Sequence, residues 1–170
     1  MYPLARGFGS LAAVAPVAVR VIVGGMMFAH GVDKISSGPT GFGQFLGAEL
    51  GLPAGVVLGW VITLLELIGG AMLVLGLLSR LIALLMTIEL IGAILLVTGA
   101  NGLIGTEGVG FERDLAYISG FLAVIFLGPG KPSVDHALGL ERAVPELIVS
   151  GGEDVGSTKR WEGSGRPTRA

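Results

Sequence analysis

Residues 53–99 read PAGVVLGWVITLLELIGGAMLVLGLLSRLIALLMTIELIGAILLVTG. Two apolar runs, about Pro53–Leu78 and about Leu81–Gly99, are separated only by Ser79 and Arg80. A membrane-crossing helix needs about 20 apolar residues in a row. Each run therefore has the length of one crossing, and the two-residue join makes them an antiparallel hairpin. Each also carries one carboxylate near its middle, Glu66 and Glu89. A carboxylate at the centre of a bilayer costs roughly 2.5–3.5 kcal/mol on insertion scales, so it calls for a partner among the helices or a function there.

A third run, about Leu11–Gly31, is interrupted only by Pro16 and Arg20. Pro16 is tolerated near the entry, where the first-turn amides have no helical acceptor. The run is too long for the apolar region of a signal peptide, about 7–15 residues, and it contains an arginine, so it reads as a retained first helix. A fourth, shorter run spans about Asp114–Leu127 and ends at Gly128-Pro129-Gly130. The expected architecture is all-α: a polytopic membrane four-helix bundle over residues 1–130, with spans about 11–31, 53–78, 81–99 and 114–127, and then a polar, largely extended tail over 131–170. Asp33–Leu52 and Asn101–Arg113 are expected to be Gly-rich loops, the second holding Glu107 and Glu112. A short helix is expected after Ser133, which can cap it, with Asp135 favourable in its first turn.

Composition agrees. Only 14% of the 170 residues are charged, against about 25% in soluble domains. The net charge of −2 comes with scattered basic residues, which argues against a nucleic-acid partner. The absence of cysteine excludes a thiol redox centre, a disulfide frame and a Cys-ligated metal or cluster in this chain. His30 and His136 are expected on opposite sides of the membrane, so neither a histidine metal centre nor a bis-histidine haem is expected. The segment Gly128–Ser133 imitates a phosphate loop, but Pro132 removes an amide that such a loop needs as a donor.

Orientation is set by the bias of Lys and Arg towards cytoplasmic loops. With both termini inside, Arg6, Arg80, Lys131 and Arg142 lie on the cytoplasmic side and only Lys34 and Arg113 lie outside. The expectation is an N-in, C-in multi-pass protein of the bacterial plasma membrane.

Three groups of residues could carry chemistry. Arg20, Glu66 and Glu89 would all fall within a couple of turns of the midplane and form a buried polar cluster. One arginine cannot neutralise two carboxylates, so either both share it or one carries a proton. Such a cluster either holds the helices in register or serves proton relay or headgroup binding. Gly59, Thr63, Glu66 and Gly70 share one stripe, as do Pro16, Arg20, Gly24, Met27 and Gly31. Small residues on those stripes let backbones approach, so the charged faces should point inward. The second group, His30, Asp33, Lys34, Glu112 and Arg113, is either an interfacial polar cap or an outer-face ligand site. In the tail, Lys159, Arg160, Trp161, Arg166 and Arg169 could dock on anionic lipid or on a partner; the alternative is a solvated, disordered tail.

Taken in order, these residues resemble the DoxX family of small four-helix membrane proteins. The resemblance runs through Arg20, Gly24-Gly25, Phe28, His30-Gly31 and Lys34. It continues through Glu66, Gly69-Gly70, Gly76, Arg80 and Glu112, and closes with Gly128-Pro129-Gly130, Ser133 and Asp135. Glu89 and the tail lie outside that pattern. The resemblance implies membrane redox systems, including a thiosulfate:quinone oxidoreductase subunit and assemblies that couple oxidative-stress proteins to the membrane. Within that setting the absent redox ligands, the inward small-residue stripes and the adhesive tail point to an accessory, non-catalytic subunit of a membrane redox or respiratory complex, in contact with lipids and other subunits and with no cofactor of its own. The alternative is a quinone- or small-ligand-binding subunit, in which Arg20 fixes an anionic or carbonyl group, Glu66 exchanges protons and His30 completes the site. A proton path through the paired glutamates is the weakest reading, since no inverted repeat or broken helix is visible.

Overall fold

A computed structural model describes residues 14–105 and 108–140. Helix α1, Ala15–Ser37, carries Pro16 in its first turn, where the missing amide costs nothing. Helix α2, Pro39–Ala48, begins directly after Gly38. Helix α3, Gly55–Leu75, is α-helical over Gly55–Leu64, π-helical over Leu65–Gly69 and α-helical again over Gly70–Leu75. Helix α4 spans Ser79–Leu96, α5 spans Glu112–Leu127 and the short α6 spans Val134–Ala137. A 3-10 turn, Thr98–Asn101, comes after α4. No strand occurs among the described residues.

Three helices, α1, α3 and α4, are long and apolar enough to cross a membrane. Helix α5 has 16 residues, about 24 Å of rise, short of a hydrocarbon core of about 30 Å. The expected loop Asp33–Leu52 is mostly helical: α1 continues to Ser37 and α2 occupies the next stretch. Pro39 starts α2 at a favourable first position, and Phe42 and Leu46, one turn apart, give it an apolar face.

Small residues set the packing. A Cβ placed on Gly31 would lie 2.4 Å from the amide nitrogen of Leu67, and one on Gly70 would lie 2.5 Å from that of Phe28, so α1 and α3 touch backbone to backbone. Helix α2 meets the first half of α3 in the same way, with Gly43 against Gly55 and Gly59. Helix α5 closes the structure against α4 and α1. The core comprises Val23, Met27, Leu73, Ile82, Ala83, Met86, Leu90, Tyr117, Phe121 and Val124. Large apolar side chains also cover the outside, among them Ile22, Val57, Ile88, Leu95 and Phe126. Hydrocarbon rather than water is the solvent that such a surface suits.

At one end of the molecule the segment after α5 folds back on the α3–α4 turn. Both carboxylate oxygens of Asp135 accept hydrogen bonds there, from the Leu78 amide at 2.6 Å and the Ser79 amide at 2.9 Å. Those are orphan donors where α4 opens, so a distant residue caps that helix. The Asp135 amide in turn donates to the Gly76 carbonyl at 2.8 Å. Ser133 caps α6 as expected, accepting from the His136 amide at 3.2 Å. Arg80 donates to the Ile125 carbonyl at 2.6 Å.

Candidate functional site

The expected cluster of Arg20, Glu66 and Glu89 divides in two. Arg20 is buried at the Asp135 end, where its Nη2 donates to the Pro132 carbonyl and its charge faces Asp135. Its guanidinium lies over Gly76, where a Cβ would sit 1.5 Å from Nη1. Glu66 has a different cation. Lys34 Nζ donates to Glu66 Oε1 at 2.6 Å. Lys34 stands fourteen residues beyond Arg20 on α1, about 21 Å further along the axis. The charged stripe of α1 has the expected face but a different height. Gly24 and Gly31 do meet α3, but the antiparallel pairing sets the far end of α1 against Glu66.

The π turn positions Glu66. Its widened backbone inserts one residue into α3 and rotates the rest of the helix, a device frequent at functional sites. Glu66 is 3% exposed and contacts Glu89 from α4 across the interface. The two carboxyl groups therefore face each other between α3 and α4. Glu66 Oε2 and Glu89 Oε2 are both buried without a hydrogen-bond partner. Lys34 Nζ also lies 4.7 Å from the ring centre of Phe42 on α2, a cation–π contact that holds the ammonium on the cavity side.

Around this triad the walls are apolar. A cavity of about 500 Å³ is bounded by α1, α2, α3, α4 and α5, with Phe42, Leu46, Val61, Leu65, Leu85 and Leu96 among its lining. That volume lies within the usual range for small-molecule sites, about 300–1,000 Å³. The polar lining is confined to His30, Lys34, Glu66, Glu89, Thr98, Arg113, Asp114 and Tyr117. Buried Asp114 accepts from Thr98 Oγ1 at 2.7 Å and from Arg113 at 3.4 Å. His30 Nε2 and the Tyr117 hydroxyl are 3.4 Å apart, with their rings edge to face.

Of the expected outer-face group, His30, Lys34 and Arg113 line the cavity, while Asp33 and Glu112 are exposed and do not. The tail residues Lys159, Arg160, Trp161, Arg166 and Arg169 lie outside the described residues. Sequence reasoning missed Tyr117, Thr98, the π turn and the wall supplied by α2. The four-residue spacing of Phe42 and Leu46 after Pro39 could have signalled the wall; nothing local to residues 65–69 signals the π turn.

Chemically, the arrangement offers an apolar chamber with a carboxyl pair and an ammonium at its head. It can hold a lipophilic molecule by its polar end and exchange a proton with it.

The DoxX family model matches residues 15–99, half of the chain. The chain is 28% identical over 131 residues to an uncharacterized membrane protein of Mycobacterium tuberculosis, covering 72% of this chain and 80% of that protein. It is 39% identical over 84 residues to a Bacillus subtilis protein named "Putative oxidoreductase CatD", covering 49% and 60% respectively. An uncharacterized Haemophilus influenzae protein is 31% identical over 123 residues, covering 69% and 86%. No solved structure matches the chain.

Proposed function

The chain belongs to the DoxX family, and from that footing we propose that it is an integral membrane subunit of a redox assembly that binds a small amphipathic ligand of the quinone type. The observation that carries this reading is the Lys34–Glu66–Glu89 triad on the wall of a 500 Å³ apolar cavity. The likeness to a protein named as an oxidoreductase supports the redox setting. Glu66 and Glu89 hold the polar end of the ligand and pass protons, and the apolar walls take its body. The chain crosses the bacterial plasma membrane four times with both termini in the cytoplasm, α5 completing the set. In this arrangement Arg80 and Lys131 lie at the cytoplasmic face, and Lys34 and Arg113 at the outer one.

Calorimetric titration of the full chain in lipid nanodiscs with a decyl-quinone and its hydroquinone tests the reading. At least one form binds the wild-type protein, and Glu66→Gln weakens that binding about tenfold or more. If neither form binds, while mild-detergent purification still recovers oxidoreductase subunits, the protein is a purely structural accessory subunit instead.

A further inference from the structure

We infer that the head of the cavity takes a hydrogen-bond-donating group, so that of a quinone couple it holds the hydroxyl-bearing reduced form in preference to the carbonyl form. The inference rests on the cavity being a ligand site and adds the chemistry of the head group. Among the described residues, the buried side-chain atoms at this head that lack a partner are both acceptors, Glu66 Oε2 and Glu89 Oε2. A carboxylate offers about four lone-pair positions, and the bond from Lys34 fills one of them on Glu66. Acceptor capacity is therefore left over in a place that excludes water.

Each donor nearby already has a partner, and the Lys34 ammonium keeps N–H groups beyond the one given to Glu66. Lys34 is bonded to Glu66 and set over Phe42. Arg113 and Thr98 both donate to Asp114. His30 and Tyr117 are paired with each other. Three carboxyl groups, Glu66, Glu89 and Asp114, face two cations, Lys34 and Arg113, around the same space. An anionic head would meet this excess of carboxyl groups in an apolar chamber, and a carbonyl head would leave the two acceptors unpaired. A hydroxyl donates to one of them, and hydrogen bonds to charged groups are the stronger kind. The small oxidised-sulfur anion that the family resemblance admits does not suit this head.

Three probes with the same decyl chain test the assignment on the full chain in nanodiscs under anoxic conditions. They are the hydroquinone, the matching quinone, and the dimethyl ether of the hydroquinone, which keeps the ring and removes both O–H donors. The hydroquinone binds about tenfold or more tightly than the other two. In Glu89→Gln, whose amide supplies a donor of its own, that ratio falls towards one. Equal binding of all three to the wild-type protein, or tighter binding of the quinone, overturns the inference and leaves the cavity reading standing. Failure of all three to bind overturns both. The wild-type ratio decides even if the variant does not fold.

Discussion

At the Asp135 end of the molecule the polar side chains bond to the main chain; at the Glu66 end they bond to one another. Asp135 closes the two amides that open α4, Arg80 bonds to the Ile125 carbonyl and Arg20 to the Pro132 carbonyl. Arg20 Nε and Nη1 and Ser79 Oγ stay unpaired here too, but Nη1 is packed over Gly76. None of these groups lines the 500 Å³ cavity. Each ties one segment to another, which is a structural task. Lys34, Glu66 and Glu89 satisfy one another incompletely, leave two buried oxygens unpaired and face an apolar chamber. Buried polar groups are nearly always satisfied, and exceptions call for an explanation. The contrast separates charge that holds a fold together from charge kept for another molecule, although Arg20 and Lys34 belong to one helix.

The largest expected effect lies at the Asp135 end. Gly76 has φ +73°, and a Cβ there would collide with the Arg20 guanidinium and with Ser133. Gly76→Val removes about 3 kcal/mol or more of stability, through strain in the left-handed region and overpacking. It lowers the melting temperature in detergent and the yield of monodisperse protein. Asp135→Ala comes next, at about 2–3 kcal/mol, because two amides lose their acceptor and Arg20 its counter-charge. If both variants kept wild-type melting temperatures, this end would not be the structural one.

At the other end stability and binding should part company. Glu89→Gln changes stability by about 1 kcal/mol or less, since it relieves the contact between two carboxyls while keeping the shape. Its effect falls on ligand affinity. A melting-temperature loss as large as that of Asp135→Ala would make the carboxyl pair a structural device and erase the contrast. The smallest effect is expected for Asp33→Ala, within about 0.5 kcal/mol and without change in binding, because Asp33 is exposed and off the cavity.

Much of the helical framework is legible in the sequence because apolar run length is a one-dimensional property. Pro53–Leu78 and Leu81–Gly99 announce α3 and α4, and helical spacing gives the inward stripes. The partner of Glu66 is not legible in the same way. Arg20 and Lys34 both belong to α1, and only the vertical offset between antiparallel helices decides which one reaches Glu66. That offset is set by backbone contacts such as Gly31 on Leu67 and Gly70 on Phe28, which sequence spacing does not reveal. Asp135 shows the same limit from the other side. Its favourable place in the first turn of a short helix is readable, whereas its bonds to the amides that open α4, 56 and 57 residues away, depend on the chain folding back.

Glu66 and Glu89 are the groups that must meet a ligand if the cavity is a binding site. Infrared difference spectroscopy of the full chain in lipid, recorded as a decyl-hydroquinone is added, observes those carboxyl groups directly. The expected difference spectrum contains a carboxyl C=O band that shifts on solvent deuteration and disappears in both Glu66→Gln and Glu89→Gln. A ligand-induced spectrum without any carboxyl signal, or one unchanged in the two variants, would contradict a ligand-binding role for the pair.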